Sequence, residues 1–243
     1  MREFRLFQPD LPGDFPIGGF FALDAAGHHH VARVLRRRVG DQLVLFNGDG
    51  FDYVAEITGL SRHETTVALR GKTQNTRESA LDLTLCLAWL KNEAMDRSVQ
   101  KAVEMGVTAI RPMLVARGEA ALDGDRLAKK MLHWQGIIQA AATQCGRAVL
   151  PTLHPPAAFA EVIAACHGKR WIASPWHESV DGESANDAAL SVAIGAEGGF
   201  TEGEVALAVA HGWQPFTLGK RVLRADTAVI AALARAQLLH GDF

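Results

Sequence analysis

From Leu81 onward the sequence alternates short apolar runs with stretches of helical spacing, and that alternation restricts the fold more than any other feature. Leu81 to Leu90 has the length and character of a buried strand, and Met95 to Met105 reads as a helix followed by Gly106. Val107 to Met113 is again a strand, and Arg126 to Cys145 a long helix followed by Gly146. The pattern continues through Ala157 to Cys166, Trp171 to Ser174, Leu190 to Ile194, Glu202 to His211, Pro215 to Leu218 and Asp226 to His240. Strands separated by helices are joined by crossovers, which makes neighbouring strands parallel. This part therefore reads as an α/β domain with a largely parallel sheet.

The first 75 residues follow a different rule. Phe4 to Phe7, Phe20 to Leu23, Gln42 to Phe46 and Thr65 to Leu69 read as strands. Phe51 to Ile57 alternates apolar and polar residues after the turn Asn47-Gly48-Asp49-Gly50, as a half-buried hairpin strand does. One helix is expected over Asp24 to Arg37, closed by Gly40. The piece reads as a small β-barrel with one helix. Residues 71–80 (GKTQNTRESA) are polar and read as a linker, giving a domain over 1–72 and a second over 73–243.

Composition excludes several classes. With 48% hydrophobic and 21% charged residues the 243-residue chain is neither disordered nor fibrous. Its apolar runs are all well short of the roughly 20 residues of a membrane helix, and MREFRLFQPDLPGDF lacks the apolar stretch of a secretory leader. The widely spaced Cys86, Cys145 and Cys166 suit reduced thiols in a cytoplasm, with Cys145 packed rather than reactive. The net charge of -2 argues against a general polyanion binder.

Two strand-to-helix turns carry the chemistry. In the first, Ala193-Ile194-Gly195-Ala196-Glu197-Gly198-Gly199-Phe200-Thr201, an apolar strand runs into glycines, and Thr201 with Glu204 forms a capping box. Such glycines either make a tight turn or let backbone approach a ligand at the carboxyl end of a strand. The spacing is not that of dinucleotide or P-loop sites. In the second, Leu218-Gly219-Lys220-Arg221-Val222-Leu223-Arg224-Ala225-Asp226-Thr227-Ala228, cations crowd the start of an apolar helix, which has Asp226 or Thr227 as its cap. Cations there oppose the helix dipole, so an anionic partner explains them better than local stability does.

These paired loops resemble those of the RsmE family, SPOUT-class methyltransferases that modify uracil N3 in small-subunit (16S) ribosomal RNA. Lys91, Met95, Asp96, Gln100, Lys101, Glu104, Gly106 and Val107 resemble the family's K-x-x-x-M-D-x-x-x-Q-K-x-x-E-x-G-V segment. Gln144-Cys145-Gly146-Arg147 and Arg33-Val34-Leu35-Arg36 match two further motifs, so the likeness spans nearly the whole chain in order. It departs at Ala196 (usually Pro), Thr143 (usually Glu), Ala225-Asp226 (usually Thr-Glu) and around Arg117.

The resemblance implies a SPOUT-type trefoil-knotted C-terminal domain, a PUA-like RNA-binding barrel at the N-terminus, and a cytoplasmic homodimer. S-adenosylmethionine would be held by Ile194, Gly195, Ala196, Glu197, Gly198, Gly199, Leu218, Gly219, Val222, Leu223, Arg224, Thr227 and Ala228. Arg221 and Arg224 would stabilise charge on the uracil, because guanidinium is a permanent planar donor. The proton would fall to Asp226 or to solvent. Another RNA site, or a catalytically silent RNA-binding assembly factor, are the rival readings.

For RNA contact, Arg33, Arg36, Arg37 and Arg38 form a basic patch suited to phosphates, which Arg2 and Arg5 join if the first strand lies alongside. Lys91, Arg117, Gln144 and Arg147 are candidates to line the RNA cleft. His28-His29-His30 point in different directions on a helix and cannot converge on one metal, and the chemistry needs none.

Overall fold

The computed structural model describes residues 4–120, 122–177 and 188–243. The chain divides into two compact units, one of the residues up to Glu78 with Ala142–Leu150, the other of Ser79–Ala141 with Pro151–Phe243.

The first unit contains β1 (Arg5–Phe7), β2 (Phe20–Ala22), α1 (Ala25–His29) with a wider π-helical turn over His30–Val34, β3 (Gln42–Phe46), β4 (Phe51–Leu60) and β5 (Thr65–Gln74). They form one five-stranded sheet in the order β1-β3-β4-β5-β2. β1 runs parallel to β3, and the other neighbours are antiparallel. Alternation on β4 buries Tyr53, Ala55 and Ile57, which meet Leu43, Leu45, Val67, Leu69 and the helical Val31 in one apolar core. Bulges between Val54 and Ala55 and between Ile57 and Gly59 bend the β4–β5 ladder around that core.

Two expectations change here. The helix stops at Val34 rather than at Arg37: the Leu35 amide reaches back to the His30 carbonyl, Arg36 takes φ 51°, and the chain leaves the helix there. Residues 71–74 are not a linker but the end of β5, paired with Phe51 to Val54. Their polar side chains mark a solvent-facing strand end, not a break in structure.

The second unit contains β6 (Asp82–Ala88), α2 (Asn92–Glu104), β7 (Ala109–Leu114), α3 (Gly124–Cys145, whose last turn belongs to the first unit), β8 (Thr152–Leu153), β9 (Ala157–Ala158) and α4 (Phe159–Ala165). It continues with β10 (Lys169–Ala173), β11 (Ala189–Ile194), α5 (Glu202–Ala210), β12 (Gln214–Phe216) and α6 (Ala225–His240). The strands form a parallel seven-stranded sheet, in the order β12-β10-β11-β6-β7-β8 with β9 also on β7. The helix expected from Ala157 begins at Phe159, because Ala157 and Ala158 pair with Met113 and Leu114 first. Burial of the five consecutive residues Leu190 to Ile194 of β11 is what a strand covered on both faces requires. Cys86 on β6 and Cys166 beyond α4 are free thiols with their sulfurs 3.4 Å apart.

One polar hub ties α2 to α3. Trp134, fully buried, must find a partner for its indole N–H and donates it to Asp96 Oδ1 at 3.1 Å. His133 Nε2 lies 2.8 Å from the other carboxylate oxygen, and Lys130 lies 3.4 Å from Oδ1. Burial pushes the Asp96 carboxyl up, but the His133 contact, the Lys130 charge and the Trp134 hydrogen bond together hold it below the ordinary carboxylate value.

Asp96→Ala strands the buried Trp134 N–H and should cost about 1–3 kcal/mol, read as a lower urea midpoint at neutral pH. A carboxyl lowered by folding adds stability above its unfolded value, near 3.9, and loses it as pH falls through the folded value. The gap between wild type and variant should therefore hold at neutral pH and narrow in acid, where a protonated Asp96 still accepts the Trp134 N–H but no longer attracts Lys130 and His133. Equal midpoints at pH 7 would remove Asp96 from this role.

Candidate functional site

β12, β10 and β11 are sheet neighbours and parallel, so their carboxyl ends lie side by side. The three loops that follow them, with the start of α6, line a cleft of about 200 Å³. After β11 come Ile194 to Phe200; after β12, Thr217, Leu218 and Arg221 to Leu223; after β10, Ser174 to Trp176. Ala225 and Ala228 close one wall. This is where ligands bind in open parallel sheets, because strand ends leave a crevice between diverging crossovers.

The glycine loop is held by contacts with its own backbone and with neighbouring segments. The Gly199 amide donates to the Ala196 carbonyl at 2.8 Å, and Gly199 takes φ +67°, which side-chain-bearing residues rarely adopt. The loop folds back so tightly that a Cβ on Gly195 would sit 3.2 Å from the backbone of Gly199 and Phe200. Thr201 then caps α5: its hydroxyl oxygen accepts from the Glu204 amide, while the Glu204 carboxylate accepts from the Thr201 amide at 2.7 Å. The same carboxylate accepts the Ala116 amide at 2.8 Å through its other oxygen. That bond fixes the loop carrying Arg117, whose guanidinium donates to the Gly198 carbonyl at 3.0 Å.

The second loop ends at Arg224, the residue that caps α6 by backbone only; the structure puts neither Asp226 nor Thr227 in that position. Asp226 lies in the first turn and faces α2. Its Oδ2 accepts two N–H groups of Arg97, at 3.0 and 3.1 Å, and its Oδ1 accepts the Thr227 amide at 2.9 Å. Asp226 is thus an anchor for Arg97 and is absent from the cleft lining, so its carboxylate is not placed to take a proton there.

Of the residues expected to hold the cofactor, Ile194 to Gly199, Leu218, Val222, Leu223 and Ala228 line the cleft; Gly219, Arg224 and Thr227 do not. Arg221 lines it and is exposed; Arg224 is exposed outside it. Sequence reasoning missed the segment after β10 and the walls made by Phe200, Phe216 and Ala225. The signal for the first was present: three strands end on one edge, and the carboxyl end of the Trp171 strand has the same standing as the two glycine-bearing ends.

The proposed RNA contacts sort by burial. Arg33, Arg36 and Arg38 are exposed; Arg37 is half-buried, with its guanidinium 3.3 Å from the centre of the Phe4 ring. Arg2 lies outside the described residues. Arg5 and Arg147 must be withdrawn, because each side chain is only 4% exposed and each is paired, with Asp52 at 2.8 Å and Glu78 at 2.8 Å respectively. Lys91, Arg117 and Gln144 are exposed, Lys91 lying 3.8 Å from Glu119. Among the described residues, no three His, Cys, Asp or Glu side chains come together to hold a metal, and no helix is long and apolar enough to cross a membrane.

Comparison with known proteins bears on this geometry. Residues 77–237 match the family model for an RNA methyltransferase domain, and residues 23–69 that for an RNA methyltransferase PUA domain. A Synechocystis protein, ribosomal RNA small subunit methyltransferase E, is 32% identical over 225 residues, covering 89% of this chain and 72% of that protein. The structure of a ribosomal RNA small subunit methyltransferase E from Neisseria gonorrhoeae bound to S-adenosylmethionine superposes with a TM-score of 0.92 at 32% identity, over 100% of both chains. A Legionella pneumophila protein in complex with bound S-adenosylmethionine gives 0.94 at 34% identity, again over 100% of both.

Gly195→Ala sets a Cβ against backbone and should weaken S-adenosylmethionine at least about tenfold, or ~1.4 kcal/mol, by calorimetry. Gly203→Ala, in the first turn of α5, would meet nothing within 4 Å and should bind within a few-fold of wild type. Indistinguishable affinities for the two variants would contradict this reading of the loop.

Proposed function

The chain belongs to the ribosomal RNA small subunit methyltransferase E family, and from that premise we propose that it methylates N3 of a uridine in small-subunit (16S) ribosomal RNA. The observation that carries the assignment is the convergence of the Gly195–Gly199 loop and the Leu218–Leu223 loop on one cleft. Its lining fits the cofactor S-adenosylmethionine. Ile194, Leu218, Val222 and Leu223 offer apolar wall for adenine and the methionine stem, and the glycines leave room that a Cβ would fill. When bound, S-adenosylmethionine supplies an activated methyl group.

The chain's own residues supply alignment and charge. Methylation at N3 needs the imide proton removed and the negative charge spread over the uracil carbonyls. Stabilising that charge is assigned to Arg221, which is exposed in the cleft, because a guanidinium keeps its proton while doing so. Glu197 is the carboxylate among the described cleft-lining residues, so the proton is assigned to Glu197 or solvent in place of Asp226. Arg224, at the start of α6, is assigned to the incoming RNA.

The remaining parts follow the family pattern. RNA binding is assigned to residues 1–72, with Arg33, Arg36, Arg37 and Arg38 on phosphates, and methyl transfer to residues 73–243. Lys91 and Arg117 in the second unit, and Gln144 in the first, are exposed polar residues suited to RNA. A trefoil knot in the methyltransferase domain, a homodimer and a cytoplasmic location complete the proposal.

Incubating the protein with S-adenosylmethionine and small-subunit RNA should yield 3-methyluridine in a nucleoside digest. Arg221→Ala should lower kcat by on the order of a hundredfold with cofactor affinity little changed. A digest without 3-methyluridine would refute the uridine assignment.

A further inference from the structure

We propose that Trp176 is the stacking platform for an unpaired pyrimidine base of the RNA at the mouth of the cleft. The inference rests on the methyltransferase reading above and names how that site would receive its substrate.

N3 lies on the edge of uracil that pairs with other bases, so a methyl donor reaches it only when the base is unpaired and drawn from its stack. The protein must then replace the lost stacking, and an exposed aromatic face does so for any base. Among the described residues, three aromatic side chains line the cleft: Trp176, Phe200 and Phe216. Phe200 is buried and packs on Phe159 at 5.4 Å between ring centres, and Phe216 packs on Trp171 at 5.6 Å. Neither can offer a face to a ligand. Trp176 is 83% exposed, whereas Trp89, Trp134, Trp171 and Trp213 are all buried.

This indole is not at the end of a slack loop. The Ser174 amide donates to the Phe216 carbonyl at 2.9 Å, which ties the end of β10 to β12. Ser174 Oγ lies 2.7 Å from His177 Nδ1, so the two residues flanking Pro175-Trp176 are joined across the turn. Pro175 fixes its own φ. The backbone is therefore set before any ligand arrives, and a preset aromatic loses little freedom on stacking. On the second loop Val222 is also 76% exposed beside Arg221, so a base between them would meet an apolar surface and a cation.

The test is binding of a short single-stranded oligouridine to the S-adenosylmethionine-loaded protein, followed by tryptophan fluorescence and by anisotropy of labelled RNA. Stacking should quench the emission of the exposed tryptophan, and the quench should vanish in Trp176→Leu. That variant keeps an apolar side chain but has no ring, and should bind RNA roughly ten- to a hundredfold more weakly, with cofactor affinity within about twofold. Trp176→Phe, which keeps a ring face, should recover most of the RNA affinity. The proposal is overturned if Trp176→Leu binds RNA as wild type does, if its loss falls equally on the cofactor, or if sedimentation shows that it changes the association state. RNA binding with quenching but no 3-methyluridine would refute the methylation reading and leave the platform standing.

Discussion

Parallel strands bring all their carboxyl ends to one edge of a sheet, and the functional chemistry of this protein depends on that constraint. β10, β11 and β12 are consecutive strands of the chain, and the order β12-β10-β11 makes them neighbours in the sheet. Each then contributes a segment beyond its carboxyl end to the same cleft. The apolar run of β11, buried at Leu190 through Ile194, anchors the arrangement, because a strand covered on both faces cannot slip without exposing its row of side chains. That burial carries on into the glycine loop through Gly195 and Ala196.

A single carboxylate extends the constraint beyond the sheet. Glu204 caps its own helix through Thr201 and reaches the Ala116 amide on the segment after β7. Helix start, glycine loop and the Arg117 segment thereby share one anchor. Both oxygens of Glu204 accept from backbone N–H groups, and such charge-assisted bonds are about twice as strong as neutral ones. The loop that must let a ligand approach its backbone is thus held by bonds that the ligand does not need to displace.

What the sequence revealed follows from how local its causes are. β3 is legible to the residue, since the apolar run Gln42 to Phe46 is bounded by Asp41 and the turn at Asn47-Gly48. The Thr201–Glu204 capping box is legible because both partners lie within one turn. The early end of the first helix is not: it depends on a π-type bond from Leu35 to His30 and on Arg36 adopting a left-handed conformation. Nor could Asp226 be assigned from its own surroundings. Its partner Arg97 is 129 residues away, and only the packing of α2 against α6 brings them together. The glycine-bearing strand ends announced themselves; the Trp176 turn carries no motif and becomes visible only through the sheet order.

The balance of charge acquires meaning in the same way. A net of -2 counts Arg5, Arg97 and Arg147 equally with Arg33 and Arg221. Yet Arg5 is held by Asp52 and Arg147 by Glu78, so those cations and acids cancel inside the fold, while Arg97 is paired with Asp226 at the surface. The cations that a polyanion meets are the exposed ones, including Arg33, Arg36, Arg38, Arg221 and Arg224. Counterion release follows the number of phosphates neutralised at the contact, not the sum over the chain. A near-neutral protein can therefore bind RNA at a defined place while showing little affinity for nucleic acid in general, as an enzyme that acts on one nucleotide requires.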